Sequence, residues 1–286
     1  MAIRAVVTDV DGTIIGPDRR VSAAMAAAAR ELRLAGIPLL LATGRTPTGI
    51  TTVGPMLADV TLAVCCNGSI GYDPAAAMMV WQDRLASGTV ADLAALLAIE
   101  LPDARFGAYD GYGWTVCHGY FELRPWRPAG AVAEASVSEV CQIEASALGI
   151  CHPSLRASDI AAVITSSGVL AGRASVCYSG DDTLDVTPAG VDKGSGLLRA
   201  FESLGIDPLE AVGFGDAQND LPMADVLGSF VAMGNADPSV LAVASDVTST
   251  VAADGVPAWL TAAGMLSLQA AGPACARTPA GGTGLG

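Results

Sequence analysis

Residues 3–13 read IRAVVTDVDGT. Ile3 to Thr8 is a short apolar run rich in valine, and it is expected to form a strand buried on both faces. Directly behind it, Asp9 and Asp11 bracket one valine and Gly12 follows. A two-residue step along extended backbone points both carboxylates to one side, and the glycine lets the chain turn sharply after them. Like charges so close call for a cation or a shared proton. The stretch therefore predicts a buried strand that ends in an acidic, functional turn.

Outward from this strand the pattern repeats. Ser22 to Ala35 reads as a helix capped by Ser22 and followed by Gly36, and Ile37 to Ala42 as the next strand. A third strand is expected at Leu62 to Cys66. Late in the chain the alternation returns, with a helix from about Lys193 to Leu204, a strand at Ala211 to Phe214, a helix from Leu221 and a strand at Phe230 to Met233. Strand–helix units of this kind build a parallel sheet, so the fold class is α/β with a Rossmann-like core.

Between the halves the texture changes. Most of the aromatic residues lie from Trp81 to Tyr178, and the strand candidates there are shorter: 104–109, 113–117, 137–144, 173–178 and 183–187, with helices near 88–99 and 157–167. Residues 79–188 are expected to form an inserted, smaller α/β cap domain, hinged near Met79 and Pro188. The core domain would then comprise 1–78 and 189–270. The Gly-, Pro- and Ala-rich end, 271–286, is expected to be a disordered tail.

Charge and composition narrow the function. Twenty-nine acidic residues against 15 Lys and Arg give a formal net charge of −14, a field that repels nucleic acid and anionic membrane surfaces. Neither is expected as a partner. No apolar run reaches the ~18 residues of a membrane span, and residues 1–10 lack the apolar stretch of a signal peptide. The seven cysteines show no CxxC spacing. They read as reduced thiols in a cytoplasmic protein.

Open parallel sheets bind ligands at the carboxyl ends of their strands. Asp9 and Asp11 follow the first strand, Thr43, Gly44 and Arg45 the second, and Gly215, Asp216, Asn219 and Asp220 the strand near 211–214. The sheet would gather them on one rim. Hard carboxylate oxygens of this kind suit Mg²⁺. Lys193, opening a helix after Pro188 and Gly190, can reach that rim with its long cationic side chain. His118 and His152 stand in no metal-ligand spacing and beside no GxSxG elbow, and no GxxxxGK[ST] or GxGxxG loop follows the first strand.

The order DVDGT, TGR, lysine, GDAQND closely resembles the four motifs of the haloacid dehalogenase-like phosphohydrolases. It is most similar to the Cof-type branch, whose α/β cap is inserted between the second and third motifs. Asn67-Gly68, TPAGVDKG at 187–194 and AMGNA at 232–236 extend the resemblance over about 1–77 and 189–265. It implies a Mg²⁺-dependent phosphatase working through an aspartyl-phosphate. Asp9 would be the nucleophile and Asp11 the general acid and base, while Thr43 and Lys193 bind phosphoryl oxygens. The metal would be held by Asp9, the backbone carbonyl of Asp11, and Asp216. Gly12, Gly44, Arg45, Asn67, Asn219 and Asp220 would contact substrate or phosphate or support the metal shell. The resemblance points to a small-molecule phosphate ester, with sugar phosphates ahead of pyridoxal phosphate or a flavin mononucleotide. A phosphomutase using the same aspartate and a non-catalytic phosphate-binding regulator are the alternatives. Oligomeric state is left open by the sequence.

Overall fold

The computed structural model describes residues 3–124, 129–178, 180 and 182–267. The expected tail at 271–286 lies outside them.

In chain order, the first five strands are β1 (Ala5–Thr8), β2 (Leu39–Ala42), β3 (Leu62–Cys65), β4 (Ile70–Asp73) and β5 (Met78–Gln82). Helix α1 (Ala23–Leu34) joins β1 to β2. Ser22 caps it by accepting the Met25 N–H at 2.9 Å, and Gly36 takes the left-handed conformation after its end.

A second group follows: α2 (Ser87–Glu100), β6 (Arg105–Tyr109), β7 (Gly113–Cys117), α3 (Tyr120–Leu123), β8 (Ala131–Ala135), α4 (Val137–Val140), β9 (Ala147–Cys151), α5 (Ala157–Ser167), β10 (Ala174–Tyr178) and β11 (Leu184–Pro188). The chain then returns through α6 (Lys193–Leu204), β12 (Ala211–Gly215), α7 (Leu221–Ala224), β13 (Ser229–Ala232), α8 (Pro238–Val243), β14 (Asp246–Val247) and α9 (Gly255–Ala262).

The core sheet has the order β14-β13-β12-β1-β2-β3-β4-β5. Pairing is parallel from β14 to β3, and antiparallel from β3 through β4 to β5. Alternate residues of the central strands enter two separate clusters. Val6, Leu39, Leu41, Val212 and Phe214 pack with Met25, Ala28 and Leu32 of α1, while Ala5, Val7, Leu40 and Ala42 pack with Leu197, Ala200 and Phe201 of α6. Burial on both faces explains why these strands read as continuous apolar runs. The chain leaves β1 in one direction and returns on its other side at β12, so the strand order reverses beside β1. A crevice opens at the carboxyl ends there.

The cap sheet has the order β10-β11-β9-β6-β7-β8. Leu184 and Val186 of β11, Leu148 and Ile150 of β9, and Phe106 and Ala108 of β6 bury against α2 and α5. Period-two alternation turns Asp185, Gly149 and Trp114 to the opposite face.

Three differences from the sequence expectation stand out. The β4–β5 hairpin carries the core sheet through Gln82, into the stretch assigned to the insertion. Residues 137–144 form no strand; α4 begins there, nucleated by a capping box in which Ser136 Oγ accepts the Glu139 N–H and the Glu139 carboxylate accepts the Ser136 N–H. The helix from Leu221 lasts only one turn.

Candidate active site

The loop after β1 is shaped by what approaches it. Gly12 has φ +85°, and a Cβ there would lie 2.1 Å from Asp216 Oδ2. Only glycine therefore lets the loop after β12 close onto the loop after β1. Thr13 Oγ1 donates to Asp216 Oδ1 at 2.8 Å, and Asn235 Nδ2 donates to the Gly12 carbonyl at 2.9 Å. The Gly12 N–H itself donates to the Ile15 carbonyl, so it is engaged within the turn.

The two aspartates of DVDGT occupy unlike surroundings. Asp9 is buried, and its Oδ1 accepts from Lys193 Nζ at 2.7 Å. The Asp11 side chain is 60% exposed and bridged by Arg45, whose Nε and Nη2 donate to its two oxygens at 2.6 and 2.5 Å. The crowding expected between Asp9 and Asp11 is thus found elsewhere. Burial raises the Asp9 pKa well above the usual carboxylate range, Lys193 opposes this, and Asp220 and Asp216 add to it.

Lys193 is 1% exposed, not a solvated helix end. Asp192 caps α6 and accepts the Ser195 N–H at 2.8 Å, which sets Lys193 in the first turn pointing inward. Gly194 and Gly196 lie where a Cβ would meet the Pro222 carbonyl at 2.4 Å and Gly68 Cα at 2.8 Å, so the helix packs close enough for its lysine to arrive. Burial works to lower the Lys193 pKa; Asp220 and then Asp9 outweigh it and hold the ammonium above its ordinary value.

Asp220 is fully buried, and all its visible partners are donors. Oδ1 accepts from Lys193 at 2.6 Å, and Oδ2 accepts the N–H groups of Asp216 and Ala217 at 2.9 and 3.0 Å. It anchors the lysine and ties the turn after β12 to it. Oxygens of Asp9, Asp216 and Asp220 lie within 4.8 Å of one another. Three carboxylates facing one ammonium form an all-oxygen set with surplus negative charge, which fits a hard divalent cation. With the oxygens of Asp220 taken by three donors, Asp9 and Asp216 are the better placed to hold it. Desolvation, with Asp220 adding, pushes the Asp216 pKa up to about 6 against the Thr13 hydrogen bond.

A cavity of about 370 Å³ lies over this rim. Asp9, Asp11, Thr43, Gly44, Arg45, Asp216 and Asn219 line its core side; Trp114, Arg124, Tyr178 and Asp185 line it from the cap. Thr43 Oγ1 accepts the Arg45 N–H at 3.1 Å, which leaves its own proton available to donate. Lys193, Asp220 and Asn67 sit behind the lining. Thr13, Asn235 and Asp185 were not singled out from the sequence. Thr13 stands inside DVDGT and Asn235 inside AMGNA, but the importance of both depends on partners more than 200 residues away.

A doubly wound α/β core with a lysine-bound, buried aspartate at its switch point and a second sheet roofing the site defines the class. The model of the haloacid dehalogenase-like hydrolases matches residues 6–260, and the chain belongs to that family. Among curated relatives, an HMP-PP phosphatase from Cronobacter sakazakii is 26% identical over 244 residues, 82% of this chain and 85% of its own length. A pyridoxal phosphate phosphatase from Escherichia coli is 26% identical over 270 residues, 91% of this chain and 98% of its own. A solved subclass IIB sugar phosphatase shares the fold, with a TM-score of 0.81 at 20% identity, covering 92% of this chain and all of that one (100%).

Proposed function

We propose that this protein is a Mg²⁺-dependent phosphatase that hydrolyses the phosphate monoester of a small metabolite through a phospho-aspartate on Asp9. The observation that carries this is Asp9 itself: a buried carboxylate opening on a cleft between the two sheets, held by Lys193 on one side and facing Asp216 on the other. A Mg²⁺ ion held by Asp9, Asp216 and the Asp11 carbonyl would supply charge neutralisation for the transferring phosphoryl group.

The residues divide the remaining work. The free oxygen of Asp9 attacks phosphorus while the bond to the ester oxygen breaks. Asp11, once turned away from Arg45, delivers a proton to the departing alkoxide. Lys193 and the Thr43 hydroxyl face the charge that gathers on the equatorial oxygens, a positioning and electrostatic task that dominates this chemistry. Water then attacks the phospho-aspartate, Asp11 takes its proton, and the bond from Asp9 to phosphorus breaks to release phosphate. In this reading the insertion is a lid whose wall, with Trp114 and Tyr178, selects the leaving group and keeps bulk water out. Relatives named for HMP-PP, pyridoxal phosphate and sugar phosphates support a small organic phosphate as substrate.

The reading includes a cytoplasmic location: the six cysteines of the described residues are free thiols, and no helix among those residues is long and apolar enough to cross a membrane. Assaying phosphate release from a panel of sugar phosphates, pyridoxal phosphate and flavin mononucleotide, with and without Mg²⁺, tests the proposal. Release from none, or conversion to an isomeric ester, would reject hydrolysis; the second result would establish a phosphomutase.

A further inference from the structure

Core and cap are joined by side chains that the chemistry above does not use. Asn219, in the 218–220 turn after β12, donates from Nδ2 to Asn67 Oδ1 at 3.1 Å. Asn67 in turn donates from its own Nδ2 to Asp185 Oδ2 at 3.1 Å. Each end of one amide thus engages a different domain. Asn67 is 1% exposed, and its backbone is left-handed at φ 50° and ψ 36°, a conformation asparagine tolerates better than most residues. Gly68 beside it has φ +111°, and a Cβ there would lie 2.1 Å from the Asp192 carbonyl. The turn carrying Asn67 is therefore pressed against the cap of the Lys193 helix and has little freedom to shift.

At the far end, Asp185 belongs to β11, on the face of the cap sheet that looks into the cavity. Its carboxylate is buried. Burial works to lower the Arg124 pKa, and Tyr120 and then Asp185 outweigh it and raise it; Arg124 and Asp185 line the same cavity. Hydrogen bonds from an amide to a carboxylate in a site so poorly hydrated are stronger than their counterparts at a surface. At the near end, Asn219 lies between Asp216 and Asp220, in a turn where Asp220 accepts the Asp216 and Ala217 N–H groups and the Asp237 N–H donates to the Asp216 carbonyl. A three-residue turn of this kind has little intrinsic rigidity.

Resting on the phosphatase reading, we infer that Asp185 is a positioning residue: through Asn67 it fixes Asn219, and with it the turn that presents Asp216, whenever the cap is seated. Asp185 touches none of the reacting atoms. Its effect is to make the cap wall and the metal-side turn one hydrogen-bonded unit, so that the site is complete only with β11 in place.

Amide hydrogen exchange on the full chain tests this without reference to activity. Asp185→Ala and Asn67→Ala should each speed exchange of the 216–220 amides roughly three- to tenfold, the loss of one net hydrogen bond, while β13 is unaffected. The double variant should exchange no faster than the faster single one. Asp185→Asn, which keeps a carbonyl to accept from Asn67, should exchange like the wild type and guards against misfolding of the alanine variant. With p-nitrophenyl phosphate, Asp185→Ala should lower kcat and raise the Mg²⁺ needed for half-maximal rate. Unchanged exchange at 216–220, effects that multiply in the double variant, or an asparagine variant as fast as alanine would overturn the link. A wild-type protein that hydrolyses no phosphate ester would sink the phosphatase reading, while the exchange data would still decide the link.

Discussion

Lys193 and Asp9, 184 residues apart in sequence, meet in a buried ion pair of 2.7 Å. Lys193 contacts Asp220 as closely, so a single ammonium offsets two buried carboxylates. Replacing it with methionine leaves both without a counter-charge, a defect on the order of 3–5 kcal/mol. In the wild type the raised Lys193 pKa keeps its contribution constant below about pH 10, where the unfolded side chain is also charged. In Lys193→Met the folded state holds protons on buried carboxylates that the unfolded state has released. Its stability must therefore fall as pH rises above about 4. The expected outcome is a deficit in Tm against wild type that is larger at pH 8 than at pH 5, with phosphatase turnover lost at both. A deficit independent of pH would show that Lys193 does not carry this charge.

By the same linkage, Mg²⁺ held as proposed should stabilise the fold in a pH-dependent way. With its pKa up near 6 in the folded chain, Asp216 binds more protons folded than unfolded, so without metal it withdraws stability as pH rises from about 4 to 6. Metal bound to the ionised carboxylate removes that penalty. Millimolar Mg²⁺ should therefore raise Tm more at pH 7.5 than at pH 5, and Asp216→Asn should abolish most of the difference. Scanning calorimetry of both proteins at the two pH values, with chelator as control, decides it.

Gly12 tests whether the two loops must touch. Gly12→Ala meets both a left-handed backbone and the Asp216 carboxylate, whereas Gly36→Ala meets a left-handed backbone and nothing within 4 Å. Both should lose about 1 kcal/mol from the backbone. Only Gly12→Ala should also lose Mg²⁺-dependent stabilisation and turnover, by at least ~100-fold, because Asp216 must move. Equal activity in the two variants would separate the glycine from the site.

What the sequence revealed follows from what is local. The strand at Ala5–Thr8, the cap Ser22 and the start of α6 at Lys193 all carry their signals within a few residues. So does the placement of Asp9, Thr43 and Asp216 at strand ends, because β1, β2 and β12 lie side by side in one sheet. The pairing of Asp11 with Arg45 was not legible, since it depends on how two loops turn after their strands. Nor was Asp185: within LDVT it reads as one polar position of a strand, and only the cap sheet's seating over the cavity gives it meaning. The misreading of 137–144 has a different origin. The Ser136 and Glu139 box was there to be read, and the i, i+3 spacing of Val137, Val140 and Ile143 agrees with it; the β-branched composition of the stretch weighed against both.

The two carboxylates of DVDGT should separate cleanly on mutation, because their surroundings already differ. Asp9→Asn removes the proposed nucleophile, so no phospho-enzyme should form and turnover should fall by several orders of magnitude. It also removes a buried charge that burial disfavours, while leaving Lys193 paired with Asp220, so the variant should fold and keep a Tm near that of the wild type. Asp11→Asn acts at an exposed side chain held by Arg45, and should leave stability nearly unchanged. Its chemistry should divide by step. With p-nitrophenyl phosphate the leaving group needs little protonation, so transfer to Asp9 proceeds; attack of water on the phospho-aspartate then lacks its base. The Asp11 variant should therefore accumulate a protein heavier by one phosphoryl group, detectable by intact-mass measurement after rapid quench and mapped to Asp9 by reductive cleavage. With an alkyl phosphate, whose leaving group needs the proton, the same variant should accumulate nothing. Label on any residue other than Asp9, or phospho-enzyme formed equally from both esters, would mean that Asp11 does not serve both steps.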